Sequence, residues 1–112
     1  MNLYQAIFTN QSTSSVAVLY EGRQITYAEL SERVLRFAAV LDALKLCAGD
    51  RIAILLNDSP EFIESFISIC CTGTIAVPIN MALPLEEQRK ILDDCAAKVA
   101  IVESGLCRSL LE

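Results

Sequence analysis

Three short apolar runs limit what this chain can fold into. They are residues 51–56 (Arg-Ile-Ala-Ile-Leu-Leu), 75–79 (Ile-Ala-Val-Pro-Ile) and 98–102 (Lys-Val-Ala-Ile-Val), with one helix-length segment between each and the next. A strand reads as a continuous apolar run, not an alternating one, when both its faces are covered. Strand and helix repeating with short connections require right-handed crossovers onto a parallel sheet. The expected fold class is α/β: a three-layer-like parallel sheet of about three strands with crossover helices, preceded by a β-hairpin.

The hairpin is read from two β-prone runs, Val16–Tyr20 and Ile25-Thr26-Tyr27, around Glu21-Gly22-Arg23-Gln24. Thr26 followed three residues later by Glu29 is a capping-box pattern and starts a long helix. Leu30, Val34, Phe37, Leu41 and Leu44 give that helix one apolar stripe, with Glu32, Arg33, Arg36 and Asp42 off it. Gly49-Asp50 then turns the chain. Ser59 as N-cap and Pro60 at the first helical position open a second helix, apolar on more than one face, which Thr72-Gly73 breaks near Cys71. Pro84 opens a third helix, with Glu86 and Glu87 in its first turn, where the helix dipole favours acids. Leu85, Ile91, Leu92 and Cys95 are expected to face inward. Residues 105–112 begin a further helix that the chain does not finish, an ending that reads as truncation. Residues 1–15 are polar and lack the charged-then-apolar layout of a targeting signal.

At 112 residues there is room for one domain. Hydrophobic residues make up 54% of the chain and the mean hydropathy is +0.45. So small a body cannot hide that much apolar surface, so part of it is expected to face a partner, the missing remainder of a longer protein or another copy. The net charge is −5 and no basic run occurs, which argues against nucleic acid, because displacing counterions from phosphates needs a clustered positive patch. Residues 62–79 are the most apolar stretch, but Glu64, Gly73 and Pro78 interrupt it; it divides into a helix and a strand, and no membrane span is expected.

The five cysteines (Cys47, Cys70, Cys71, Cys95, Cys107) show no C-x-x-C spacing, and the chain has no histidine. Zinc-site patterns and a Cys–His pair are therefore absent. Buried apolar thiols in a reducing, cytoplasmic compartment are the expectation. An α/β sheet binds ligands at the carboxyl ends of its strands. The loops there, 57–59, 80–83 and 103–105, lack the clustered glycines that a phosphate needs, since Gly22, Gly49, Gly73 and Gly105 stand far apart. Asn57-Asp58-Ser59 reads as a helix cap, and the adjacent Asp93-Asp94 diverge by about 100° on a helix, as on a solvated face. No catalytic, cofactor-binding or metal-ligating residue is assigned in this chain.

Several segments together resemble the acyl-adenylate-forming enzymes: acyl-CoA synthetases, firefly-type luciferases and the adenylation domains of nonribosomal peptide synthetases. Ile25-Thr26-Tyr27-Ala28-Glu29-Leu30 is similar to that family's first core motif. Gly49-Asp50-Arg51-Ile52-Ala53-Ile54-Leu55-Leu56, with Asn57-Asp58-Ser59-Pro60-Glu61-Phe62, resembles its next strand–turn–helix. Gly73-Thr74-Ile75-Ala76-Val77-Pro78-Ile79-Asn80 is similar to the second core motif. Pro84-Leu85-Glu86-Glu87 and Lys98-Val99-Ala100-Ile101-Val102 continue in the same order. The Ala-Val-Pro-Ile-Asn form is closer to acyl-CoA or aryl-acid ligases than to amino-acid adenylation domains.

The resemblance implies Mg-ATP-dependent activation of a carboxylate to an acyl-adenylate, then transfer of the acyl group to CoA or a carrier-protein thiol. It also implies that the phosphate loop, the metal-side acid, the ribose-binding Asp and the lid Lys lie beyond residue 112. On that basis residues 1–112 are expected to be an N-terminal subdomain segment of such a ligase, inactive alone, with ATP and Mg belonging to the full-length parent. Two alternatives remain. One is a stand-alone binding or regulatory module that kept the fold and pairs with a split synthetase or another protein; the other is a generic small-ligand α/β domain.

Overall fold

The computed structural model describes residues 2–9 and 12–106. In chain order the elements are α1 (Leu3–Phe8), β1 (Val16–Tyr20), β2 (Arg23–Thr26), α2 (Tyr27–Ala43), β3 (Arg51–Leu55), α3 (Pro60–Cys71), β4 (Ile75–Pro78), α4 (Leu85–Cys95) and β5 (Val99–Val102). β1 and β2 form an antiparallel hairpin, and the other three strands form a parallel sheet in the order β4-β3-β5. The α/β reading, with its hairpin and three-stranded sheet, is thus what the chain adopts.

β3 is central because it can be buried on both faces. Ile52, Ala53, Ile54 and Leu55 are each 0% exposed. Alternation along the strand divides them between two layers. Ile52 and Ile54 pack with Leu41 of α2 and Ile69 of α3, whereas Ala53 and Leu55 pack with Ile79 and with Ile91 and Leu92 of α4. Helix, sheet and helix therefore stack in three layers. Each fully buried Ile or Leu contributes about 1.5–3 kcal/mol of transfer free energy, so β3 anchors the sheet. A third cluster joins Ile25, Leu30, Val34 and Ile67 and receives Leu3, Tyr4, Ile7 and Phe8 from α1.

Local chemistry sets the element boundaries. Glu21 (φ 49°) and Gly22 (φ 76°) both adopt left-handed conformations, the two-residue hairpin turn whose twist matches its strands. The capping box is made on both sides: Glu29 N–H donates to Thr26 Oγ1 at 3.2 Å, and Thr26 N–H donates to Glu29 Oε1 at 3.3 Å. Ser59 caps α3 and Pro60 is its first residue. Fully buried Ser68 lets α2 and α3 approach closely; its hydroxyl donates to Val34 O at 3.1 Å and to Glu64 O at 2.6 Å. Arg33 of α2 and Glu64 of α3 pair at 2.6 Å on the same seam.

Several expectations need correction. The polar N-terminus carries an element that the sequence reading did not assign: Asn2 and Gln5 form their own capping box and start α1. Leu44 does not complete the α2 stripe: it is the C-cap residue, 50% exposed, because the helix stops at Ala43 before another turn can reach the sheet. Tyr27 belongs to α2 and not to the hairpin, since the cap at Thr26 ends β2. The described cysteines are not fully buried as a group, and Cys107 lies outside the described residues. Cys47 is exposed in the turn after α2, and Cys70, Cys71 and Cys95 are half-buried at helix C-terminal turns. On α4 the residues expected to face inward are half-buried, and the most buried is Gln88, 4% exposed. Its amide holds the preceding loop by donating to Leu83 O at 3.0 Å, while its Oε1 has no hydrogen-bond partner. The helix expected over 105–112 lies outside the described residues from Cys107 onward.

Candidate functional site

The carboxyl edge of the sheet is where an α/β fold presents a site, and here the segments following β3 and β5 meet the hairpin at Tyr20. β3 ends beside a tightly held loop. Asn57 N–H donates to Glu103 Oε1 at 3.1 Å, and Asn57 Nδ2 to the same oxygen at 3.4 Å, which ties the end of β3 to the end of β5. Ser59 Oγ accepts from Phe62 N–H at 3.3 Å and donates to Asn57 O at 2.9 Å. Asn80 Oδ1 accepts from Ala82 N–H at 2.9 Å and closes the loop after β4. Ser59 and Asn80 therefore hold backbone, as expected of a cap and a turn, whereas Asn57 is bound to the Glu103 carboxylate.

Three shallow hollows surround this edge. One is lined by Tyr20, Asn57, Ser59, Glu61, Glu103 and Ser104, with Leu56 and Val102 beneath. The second lies between Asp58, Phe62 and the chain from Pro78 to Met81. A third runs between β1 and the start of α3. No lysine or arginine lines any of them. The Tyr20 phenol is raised above its ordinary value chiefly by the Glu21 carboxylate, then by burial, with Glu61 and Glu103 adding to it.

Phosphates need converging N–H groups or cations, and here they would meet the carboxylates of Glu61 and Glu103. Among the described residues no group of three or more His, Cys, Asp or Glu side chains is placed to hold a metal ion. Asp93 and Asp94 are both exposed, as is expected of a solvated helix face, and so are Glu86 and Glu87. What sequence reasoning missed is the meeting of Tyr20, Glu61 and Glu103, three residues far apart in the chain. Only the hairpin's position over the sheet brings them together, and no spacing in the sequence signals that.

The comparisons with known proteins agree with this fold. The sequence matches the family model for AMP-binding enzymes over residues 6–111. It is 37% identical over 87 residues to the fatty acid–[acyl-carrier-protein] ligase ScoC of Streptomyces coeruleorubidus, covering 78% of this chain and 17% of that one. It is 35% identical over 100 residues to the 2-succinylbenzoate–CoA ligase of Bacillus velezensis, covering 87% of this chain and 20% of that protein. Its fold superimposes on apo MatB from Rhodopseudomonas palustris with a TM-score of 0.87 at 28% identity, covering 99% of this chain and 23% of MatB. The chain thus spans about a fifth of the length of the relatives it matches. With the family match running over nearly every residue and the fold agreeing throughout, the chain belongs to the AMP-binding enzyme family.

Proposed function

We propose that residues 1–112 are the amino-terminal scaffold segment of an ATP-dependent ligase that activates a carboxylic acid to an acyl-adenylate and passes it to a thiol. The observation that carries this reading is the family match over residues 6–111 on a chain a fifth as long as its relatives. In the proposed ligase ATP and Mg bind to residues outside this segment, and the acceptor is CoA or a carrier protein. Both acceptor types occur in the names of relatives, a CoA ligase and an acyl-carrier-protein ligase. The contribution of this chain is β3 and the layers on it, which hold the rest of the subdomain in register. A cytoplasmic location is part of the reading, supported by the free thiols. Among the described residues no helix is long and apolar enough to cross a membrane.

A second reading, a stand-alone binding or regulatory module, is favoured by the exposed Leu19, Leu35, Val40 and Leu44, which give a partner apolar surface to cover. ATP–pyrophosphate exchange tests the scaffold. The isolated chain is expected to give none with a panel of aliphatic and aromatic carboxylic acids, and clear turnover would overturn the reading. A chimera in which this segment replaces its counterpart in the Bacillus velezensis ligase is expected to keep exchange activity. A folded but inactive chimera would show that the segment does more than support.

A further inference from the structure

An apolar furrow runs between β1 and the start of α3. Val18 and Leu19 face Phe62 and Ile63 across it, with Asp58 and Ser59 among its lining residues. Leu19 is 69% exposed. Phe66, 37% exposed, stacks on Phe62 with ring centroids 6.5 Å apart, so the apolar surface continues onto the outer side of α3. A single exposed leucine is ordinary, but a leucine beside a furrow and a stacked phenylalanine pair forms a patch.

The charge around the furrow is one-sided. Asp58 is in the loop after β3, Glu61 in the first turn of α3, Glu21 in the hairpin turn and Glu103 just after β5. None of these four acids takes part in the ion pairs seen among the described residues, Arg33–Glu64, Arg36–Glu32 and Lys98–Asp50. Arg23, opposite Tyr20 in the hairpin ladder, pairs with none of them. Glu21, Glu61 and Glu103 all act on the Tyr20 phenol, so their fields overlap at the edge of the furrow.

The geometry points to a docking groove for a segment of a second polypeptide that carries an apolar side chain flanked by lysine or arginine. The apolar side chain enters between Leu19 and Phe62, and the flanking cations meet Asp58 at the furrow and Glu61 and Glu103 in the adjoining hollow. A second copy of this chain is disfavoured as the occupant, because each copy carries −5 overall and would bring further negative charge to this edge. The groove is a property of the folded chain and goes beyond the scaffold role. A titration of the groove can therefore fail while the exchange assay succeeds, and the reverse.

The test is an NMR titration of the nitrogen-15-labelled chain with two synthetic peptides that share a Leu-Phe-Leu core, one flanked by lysines and the other by glutamates. The lysine peptide is expected to shift the amides of Leu19, Ser59 and Phe62 and to bind about tenfold tighter or more, a preference largely lost at molar salt. Reversing the rim with Asp58→Lys and Glu61→Lys is expected to invert the preference. Leu19→Asp, at a site that carries none of the core, is expected to weaken the lysine peptide severalfold. Equal affinity for the two peptides, shifts confined to another face, or an unreversed preference in the folded double variant would each overturn the groove. Should the double variant not fold, unchanged lysine-peptide binding by Leu19→Asp overturns it instead.

Discussion

Ala96 ends α4 in the left-handed region, at φ 53° and ψ 39°. An L-residue with a Cβ costs about 1–2 kcal/mol there, whereas glycine adopts it freely but carries roughly 0.5–1 kcal/mol more backbone freedom in the unfolded chain. The first effect is the larger, so Ala96→Gly is expected to stabilise the chain by about 0.5–1 kcal/mol, read as a higher urea midpoint at unchanged slope. The thiols separate at the same scale. Burial, and then the neighbouring Cys71, push the Cys70 thiol above its ordinary value, while Cys47 is exposed. The thiolate is the nucleophile, so a raised value leaves less of it at a given pH. At mildly alkaline pH iodoacetamide is expected to label Cys47 severalfold faster than Cys70, with the gap narrowing as pH rises. Peptide mass spectrometry that finds Cys70 labelled first would contradict the burial seen here.

The clearest element-scale test is the start of α2. Thr26 and Glu29 satisfy each other's backbone N–H groups, and substituting a capping Thr by Ala costs about 1 kcal/mol, within a range of roughly 0.5–2. Thr26→Ala is expected to lower stability by that amount and Thr26→Ser to retain most of it, measured by chemical denaturation. A loss equal in both variants would place the effect in the Thr26 methyl group and not in the cap. This helix start was legible in advance because a capping box is a local pattern, and so was the Ser59-Pro60 start of α3. α1 carried the same kind of signal in Asn2 and Gln5, but its six residues are too few for a periodic stripe to call attention to it. Leu44 failed for the opposite reason: periodicity extends a stripe on paper, but the helix stops where its backbone stops. The pairing of Glu103 with Asn57 and the burial of Gln88 were not legible either, since both depend on how loops fold over the sheet.

For the whole molecule, strand count and parallel direction followed from three apolar runs alternating with helices, but the order β4-β3-β5 did not, because an apolar run does not say which run lies beside it. The candidate edge could be placed at the strand carboxyl ends, while its acidic character emerged only once the hairpin lay across it. The apolar surplus seen in the composition also has a location: Leu35, Val40 and Leu44 on and just after α2 are 54%, 57% and 50% exposed. Weak self-association is therefore expected, and sedimentation velocity over rising concentration should show an increasing average mass. A constant monomer mass at the highest concentration would contradict it.

The order β4-β3-β5 also leads to an expectation about the sequence of folding events. β4 can join β3 as soon as α3 has closed the intervening loop, whereas β5 must pass over β4 and α4 to reach the opposite side of β3. Closing the longer loop costs more entropy before its contacts form, so β5 is expected to dock last. Until it docks, one edge of the most apolar strand in the chain stands open, and a nascent polypeptide is most prone to stick to its neighbours in that interval.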